Sequence, residues 1–416
     1  MQMAMEVGNC TGEDADLLRR AMGSKRGTER IESLRDKLYA GMAENGISPE
    51  VSDVIYSKIQ AFANFGFAES HSLSFGLLVY ASSWVKLHYP AAFLAAMLRA
   101  QPMGFYSGQS LVADARRHGV EVRRPDILRS GVTSGLEALE TVPEPAEGVA
   151  GLDCLNRTQP EVPQTFDRHA HFDTADHRRD TGYAVRLGLD EVRGIGEPLA
   201  QRIVAERERG GDFTTMSDLV RRVGLSTAQL ESLAAAGAFD SLGLSQREAL
   251  WNAGTAAQDR AEFLPDSIVN SQPPLFDMPT EAEQLSSDLW ATGISPADHP
   301  VRHVRAMLDA RGVLSASDLR TAESGRRIEV AGVVTHRQRP ATASGITFLN
   351  LEDEHGLVNV ICSVGVWNRY RRVARESPAL IVRGVLERSV EGVTNLLADR
   401  FEDLRVGVSH ASRDFR

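Results

Sequence analysis

Between about residues 326 and 405 the apolar residues of this chain stop recurring every three or four positions and begin to alternate. Five runs carry the pattern: RIEVAGVVTHRQ, GITFLNLED, GLVNVICS, ALIVRGVLERS and TNLLADRFEDL. Alternation in Val-, Ile- and Leu-rich runs puts apolar side chains on one face of a strand and polar ones on the other. The segment VGVWNRYRRVARES, between the third and fourth runs, reads as a helix. Five strands with a helix in that place is the order of an OB-type barrel, a fold that often binds single-stranded nucleic acid. Arg337, Arg339, Arg369, Arg371 and Arg372 are candidate phosphate partners there. His336, Phe348 and Trp367 are candidate stacking groups, with a core role competing at each.

A second constraint lies upstream. LDEVRGIGEPLAQRIVAERE places Gly194, Ile195 and Gly196 between an apolar helix end and an amphipathic helix, which is helix–hairpin–helix spacing. The glycines allow a tight turn and a close approach of phosphate to the amides at the next helix's N-terminus, and Ile195 plugs the turn into the core. A helical turn without a ligand is the competing reading. Ser217 and Ser226 read as caps of later helices and Gly237 as a stop.

The remaining boundaries follow from composition. Residues 1–128 read as helical. Thr11 is a candidate cap before TGEDADLLRRAMG and Gly23 its stop; Ser48 and Pro49 start a helix whose stripe is Val51, Ile55, Ile59 and Phe62. Residues 129–183 are rich in Pro, Gly and charge and read as a mobile insertion or linker. The group His169, His171, Asp173, Asp176 and His177 within it reads as a polar loop, not a metal site. Residues 184–254 form the hairpin unit, 255–325 a linker with short helices, 326–405 the barrel and 406–416 a disordered tail. The expected class is multidomain α+β, mostly helical and ending in the barrel.

The 416 residues carry a formal net charge of −10, which describes the whole surface and leaves room for local basic patches. Such patches occur at 17–26, 114–124, 335–340 and 367–375; the competing reading of each is a solvated helix face. Cys10, Cys154 and Cys362 form no CxxC pair or disulfide framework, and no apolar run reaches the roughly 18 residues of a membrane span. No secretory signal is visible. A cytoplasmic protein with no membrane partner is expected.

LLRRAMGSKR, KIQAFANFGFAESHSLSFGLLVYASSWVKLHYPAAFLAAMLRA, QPMGFYSGQSLVADARRHGVEVRRPDI, the GIG unit and the terminal barrel occur in that order. Together they resemble the C-terminal part of a bacterial C-family DNA polymerase, the family of the DNA polymerase III alpha subunit, and its error-prone branch most. The resemblance covers nearly the whole chain outside 129–183. It implies that residues 1–128 are a fingers and duplex-facing region. There Arg19 and Arg20, extended by Lys25 and Arg26 and faced by His71, bind the nucleotide triphosphate. Arg116, Arg117, Arg123 and Arg124 would meet primer–template phosphates. Asp126, standing alone, is not a metal ligand.

The resemblance further implies that the palm, with its three catalytic aspartates, lies upstream of the matched region, so that no catalytic residue and no metal ligand is expected here. Magnesium and deoxynucleoside triphosphates would serve the complete enzyme, on primer–template and single-stranded template. QPPLFDM places Gln272, Leu275 and Phe276 in the spacing of sliding-clamp-binding peptides, although Pro273 and Pro274 depart from the usual pattern. Clamp and translesion accessory proteins are the implied partners. The alternatives are a free-standing DNA-binding accessory module without chemistry and a fragment of a replicative alpha subunit.

Overall fold

The computed structural model describes residues 2–21, 31–63, 69–104, 106–139, 174–259, 279–340, 343–389, 392–407 and 413–415. Helices α1 (Gln2–Gly8), α2 (Gly12–Ala21), α3 (Arg35–Glu44) and α4 (Pro49–Ala63) enclose a small core of Leu18, Ile31, Leu38, Met42, Tyr56 and Ile59. Helices α1 and α3 touch backbone to backbone: a Cβ on Gly41 would lie 2.1 Å from the Gly8 carbonyl oxygen, so only glycine permits the crossing. The buried edge of α4 runs through Ser52, Tyr56 and Ile59, whereas Val51 is exposed. Of the expected stripe, Ile59 is buried and Ile55 packs on the same core, and the buried edge extends to Ser52 and Tyr56, beside the ring of Tyr39, in place of Val51.

Helix α5 (Glu69–His88) leads at Pro90 into α6 (Pro90–Arg99), then α7 (Gly108–Arg117), whose start is capped by Ser107 Oγ accepting from Ser110 N. These pack on a small sheet of β1 (Val122–Arg123), β2 (Gly135–Ala138) and β3 (Tyr183–Arg186), ordered β1-β3-β2, in which β3 runs parallel to β1 and antiparallel to β2. Residues 129–139 and 174–183, expected within a mobile insertion, are therefore packed structure. Short strands that take up four residues leave too little periodicity to stand out from a polar stretch.

The next unit comprises α8 (Glu197–Gly210), α9 (Met216–Val223), α10 (Thr227–Ala235), α11 (Gln246–Ala256) and α12 (Glu281–Thr292). Ser226, Ser245 and Thr280 form reciprocal capping boxes with Gln229, Glu248 and Glu283. Thr215 caps α9, displacing the expected Ser217, because it is the Thr215 hydroxyl that reaches Asp218 N. The core of Ile195, Ile203, Phe213, Leu219, Leu230, Leu233 and Phe239 also draws in Ile127 and Ala291 from outside the expected unit.

After α13 (Arg305–Ala310) come β4 (Arg327–Gln338), β5 (Thr347–Glu352), β6 (Leu357–Cys362), α14 (Val364–Glu376), β7 (Ala379–Arg388) and β8 (Thr394–Asp403). The strands close in the order β4-β5-β6-β8-β7 and back to β4, with β6 and β8 parallel. This is the OB-type barrel expected from the alternation. Val330, Leu349, Val360, Leu380 and Leu396 fill it. An added strand, β9 (Arg413–Phe415), pairs with β4 inside the stretch expected to be a disordered tail.

The units are held to one another by buried polar ties. Arg124 presents its fork to Asp288 at 2.9 and 3.0 Å, and Gln246 Nε2 and Ser295 Oγ donate to the same carboxylate. Burial pushes the Asp288 carboxyl up from its ordinary range and Arg124 pulls it back. Ser110 Oγ donates to the buried Glu352 of the barrel at 2.9 Å, and Arg207 donates to the carbonyls of Ile127 and Ser130. Asp288→Ala leaves the half-buried Arg124 without its carboxylate and costs up to the roughly 3–5 kcal/mol of a fully buried pair. It should lower the thermal midpoint of the helical unit by several degrees, whereas breaking the exposed Arg372–Glu376 pair by Arg372→Ala should move it by about one degree or less. Equal shifts in the two variants, read by circular dichroism, contradict the structural weight given to the tie.

Candidate nucleic-acid interface

The hairpin is built from its core outward. Val192 and Ile195 are buried, and Ile195 N donates to Val192 O, which closes the turn. Gly194 takes φ +78°, in the left-handed region, and a Cβ there would meet nothing within 4 Å. Gly196 stands at the N-cap of α8 with extended backbone, a Cβ on it would approach only Pro198, and no side chain caps the helix. The turn thus offers open space above the start of a fourteen-residue helix. That is the setting in which backbone amides and the helix dipole hold a phosphate.

Helix α12 braces the hairpin. Arg193 N donates to Ala291 O at 2.7 Å, and the Arg193 guanidinium lies over the Trp290 ring at 5.1 Å. Behind the turn, burial and the neighbouring Asp190 push Glu191 up to about 7.

The arginines of 114–124 have other work. Arg124 is committed to Asp288. Arg123 pairs with Glu121 and Glu137, both at 2.7 Å. The Arg186 guanidinium, supported by Arg123, holds Glu137 down at about 2. Arg116 donates to the Ala297 carbonyl at 2.6 Å. Arg116, Arg123 and Arg124, expected to meet DNA phosphate, are engaged in this structure by the chain's own carboxylates and carbonyls. Arg117, 3.7 Å from Asp114 and 3.8 Å from Glu352, is held more loosely. Asp126 is buried and accepts from Leu128 N, Arg129 N and Ser241 Oγ, a structural cap.

The barrel divides its arginines similarly. Arg337, expected to meet phosphate, is buried and donates to the carbonyls of Ala374 and Ser377, tying off the C-terminal end of α14. His336 is buried beside Thr335 and edge-on to Tyr106, and Trp367 packs on the barrel core, so neither is an open stacking platform. Phe348 is half-buried. Arg339, Arg369, Arg371, Arg372 and Arg375 are exposed, the last four on α14. The sequence reading missed the neighbours that Arg117 finds in space: with Arg320, His355 and Arg388 it lines one open cavity of about 520 Å³ at the loops joining β5 to β6 and β7 to β8. They come from four separate segments, so no local run announces them.

Of the nucleotide set, Arg19 and Arg20 lie on the last turn of α2 and share Asp16, at 2.9 and 2.7 Å. Their side chains are 60% and 58% exposed. His71 lies on α5 with its ring 4.4 Å from that of Phe75. Lys25 and Arg26, and the clamp-like Gln272, Leu275 and Phe276, lie outside the described residues. Among the described residues no three His, Cys, Asp or Glu side chains stand close enough to hold a metal, and no helix is long and apolar enough to cross a membrane.

The bacterial DNA polymerase III alpha subunit finger domain matches residues 1–46, and a helix-hairpin-helix motif matches 119–249, a span that starts within the 114–124 arginine segment and takes in Ile127. An error-prone DNA polymerase of Cutibacterium acnes is 59% identical over 420 residues, covering all of this chain and 37% of the relative. Error-prone DNA polymerases of Nocardia farcinica and Mycobacterium tuberculosis are each 48% identical over the whole chain, covering 33% and 34% of their lengths. The chain thus spans about a third of these relatives. Among solved structures, an asparaginyl-tRNA synthetase from Pyrococcus horikoshii shares 22% of each chain at 20% identity with a TM-score of 0.18, which carries no argument.

Gly196 permits a clean test of the hairpin, because its extended backbone accepts any residue whereas Gly194 does not. Gly196→Val puts bulk where phosphate would approach. It should weaken duplex binding by the chain roughly ten- to a hundredfold, the worth of a charge-assisted hydrogen bond, while thermal stability holds. Unchanged affinity by fluorescence anisotropy removes the hairpin from the interface.

Proposed function

We propose that this chain, a C-terminal part of the error-prone branch of the bacterial C-family DNA polymerases, positions DNA and the incoming nucleotide for translesion synthesis in the cytoplasm. The observation that carries this reading is the match of the whole of this chain to about a third of error-prone polymerases, at 59% identity to one of them. The hairpin amides hold duplex phosphates without reading sequence, and the exposed arginines of α14, with Arg339, hold the single-stranded template. These are backbone contacts, which supply affinity and register but no base preference. Lack of base readout suits an enzyme that must accept damaged templates.

Arg19 and Arg20 bind the triphosphate in this reading. Two guanidinium forks match phosphate oxygens, and Asp16 holds both side chains extended until a stronger anion arrives. Magnesium would neutralise the phosphates during transfer, but the described residues contain no carboxylate cluster that fits it. No step is assigned to it within this chain. A clamp contact through Gln272, Leu275 and Phe276 belongs to the same proposal, as do translesion accessory partners.

The test joins this chain to the remaining part of the Cutibacterium acnes relative. Arg20→Ala should lower kcat/KM for nucleotide roughly ten- to a hundredfold and leave primer–template affinity nearly unchanged. Arg20→Lys should recover part of the loss, because the charge remains and the fork is gone. Nucleotide kinetics within about twofold of the parent in both variants make α2 scaffold. A joined protein that binds DNA but never extends a primer favours the non-catalytic accessory module.

A further inference from the structure

Among the described residues, helix α5 meets the body of the protein chiefly through its C-terminal half. Its last turns meet the body of the protein: Lys86 pairs with Asp114 at 2.7 Å, Trp84 packs against Tyr89, and Arg179 lies over the Trp84 ring. Toward the N-terminus the helix stands in solvent, and it is apolar there. Leu73, Leu77 and Tyr80 are 74%, 72% and 82% exposed, and with Trp84 they follow the i, i+4, i+7, i+11 spacing of a single stripe. Phe75, Leu78 and Val79 extend the apolar surface around the helix. A monomeric protein seldom leaves such a stripe to water, so the stripe marks a contact.

From the stripe, we infer that α5 is the docking helix for the part of the polymerase that the relatives possess beyond the region matched here. This inference rests on the reading of the chain as a polymerase portion. Three observations select that occupant. Ser70–Val85 contains no Asp, Glu, Lys or Arg, so the stripe lacks the cationic side chains that supply most of the affinity for a phosphate backbone. The helix is not apolar enough to cross a membrane. The relatives are about three times as long as this chain, and their additional length supplies a protein surface to bury a protein stripe. The first turn of α5 itself carries His71, one of the residues expected to face the nucleotide. Docking α5 would therefore place that side chain beside whatever lies in the additional part.

Hydroxyl-radical footprinting of two proteins tests the inference: this chain alone, and a full-length chimera in which it replaces the matching region of the Cutibacterium acnes polymerase. Oxidation of Leu73, Phe75, Leu77 and Tyr80 should be fast in the chain alone and at least fivefold slower in the chimera. Leu77→Asp with Tyr80→Asp should restore fast oxidation of Leu73 in the chimera, while the melting of the chain alone changes little because both positions are exposed there. Equal oxidation in both proteins overturns the docking role. Protection in the chain alone, appearing with dimer formation in sedimentation or on adding duplex DNA, also overturns it in favour of a second copy or nucleic acid. Primer extension by the chimera is read separately. Extension with an exposed helix defeats the docking alone, and protection without extension defeats the polymerase reading alone.

Discussion

The fork of Arg124 on Asp288 is the contact through which the pieces of this molecule are referred to one another. Arg124 follows β1 of the small sheet and Asp288 lies on α12. Gln246, at the start of α11, and Ser295, beyond α12, close on the same carboxylate. From there two paths run outward. Along α12, Ala291 and Trp290 brace the hairpin through Arg193. Through Ser295, whose amide donates to Gln109 on α7, the neighbouring Ser110 reaches Glu352 in the barrel. A bidentate pair suits this role because it sets direction as well as distance.

What the sequence made legible was whatever is written locally. The five strands and the helix of the barrel fall within two residues of their expected bounds, because alternation in β-branched runs is a property of neighbouring residues. Ser226 as a cap and Ile195 as the hairpin's plug were legible for the same reason. The partners of the arginines were not. Arg124 and Asp288 are 164 residues apart and Arg337 reaches Ala374, and a run of guanidinium groups reads alike whether it faces phosphate or a distant carboxylate. The cavity lined by Arg117, Arg320, His355 and Arg388 was hidden because its members are scattered over four segments. Burial at α4 was displaced because one packed ring, Tyr56 against Tyr39, decided which of several apolar residues faced inward.

The net charge of −10 and the abundance of arginine are reconciled by this sorting. Buried guanidinium groups are costly without a partner, so those at domain junctions are matched by carboxylates and helix-end carbonyls. Each matched pair makes a junction specific while adding nothing to the outside field. The more exposed positive charge then lies on α14 and on Arg339, with the uncapped hairpin facing open space beside the helical core. An acidic protein thereby keeps a restricted surface for a polyanion.

The central claim is that junction arginines hold the fold while exposed ones meet DNA, and arginine-selective chemical modification with and without DNA, read by mass spectrometry, tests it most directly. In the free chain Arg339, Arg369, Arg371 and Arg372 should react readily, and Arg124 and Arg337 should not. Primer–template should suppress reaction at the first group severalfold and leave the second unreactive. Arg124 and Arg337 reacting in the free chain and becoming protected by DNA, with the α14 arginines indifferent, would contradict the account.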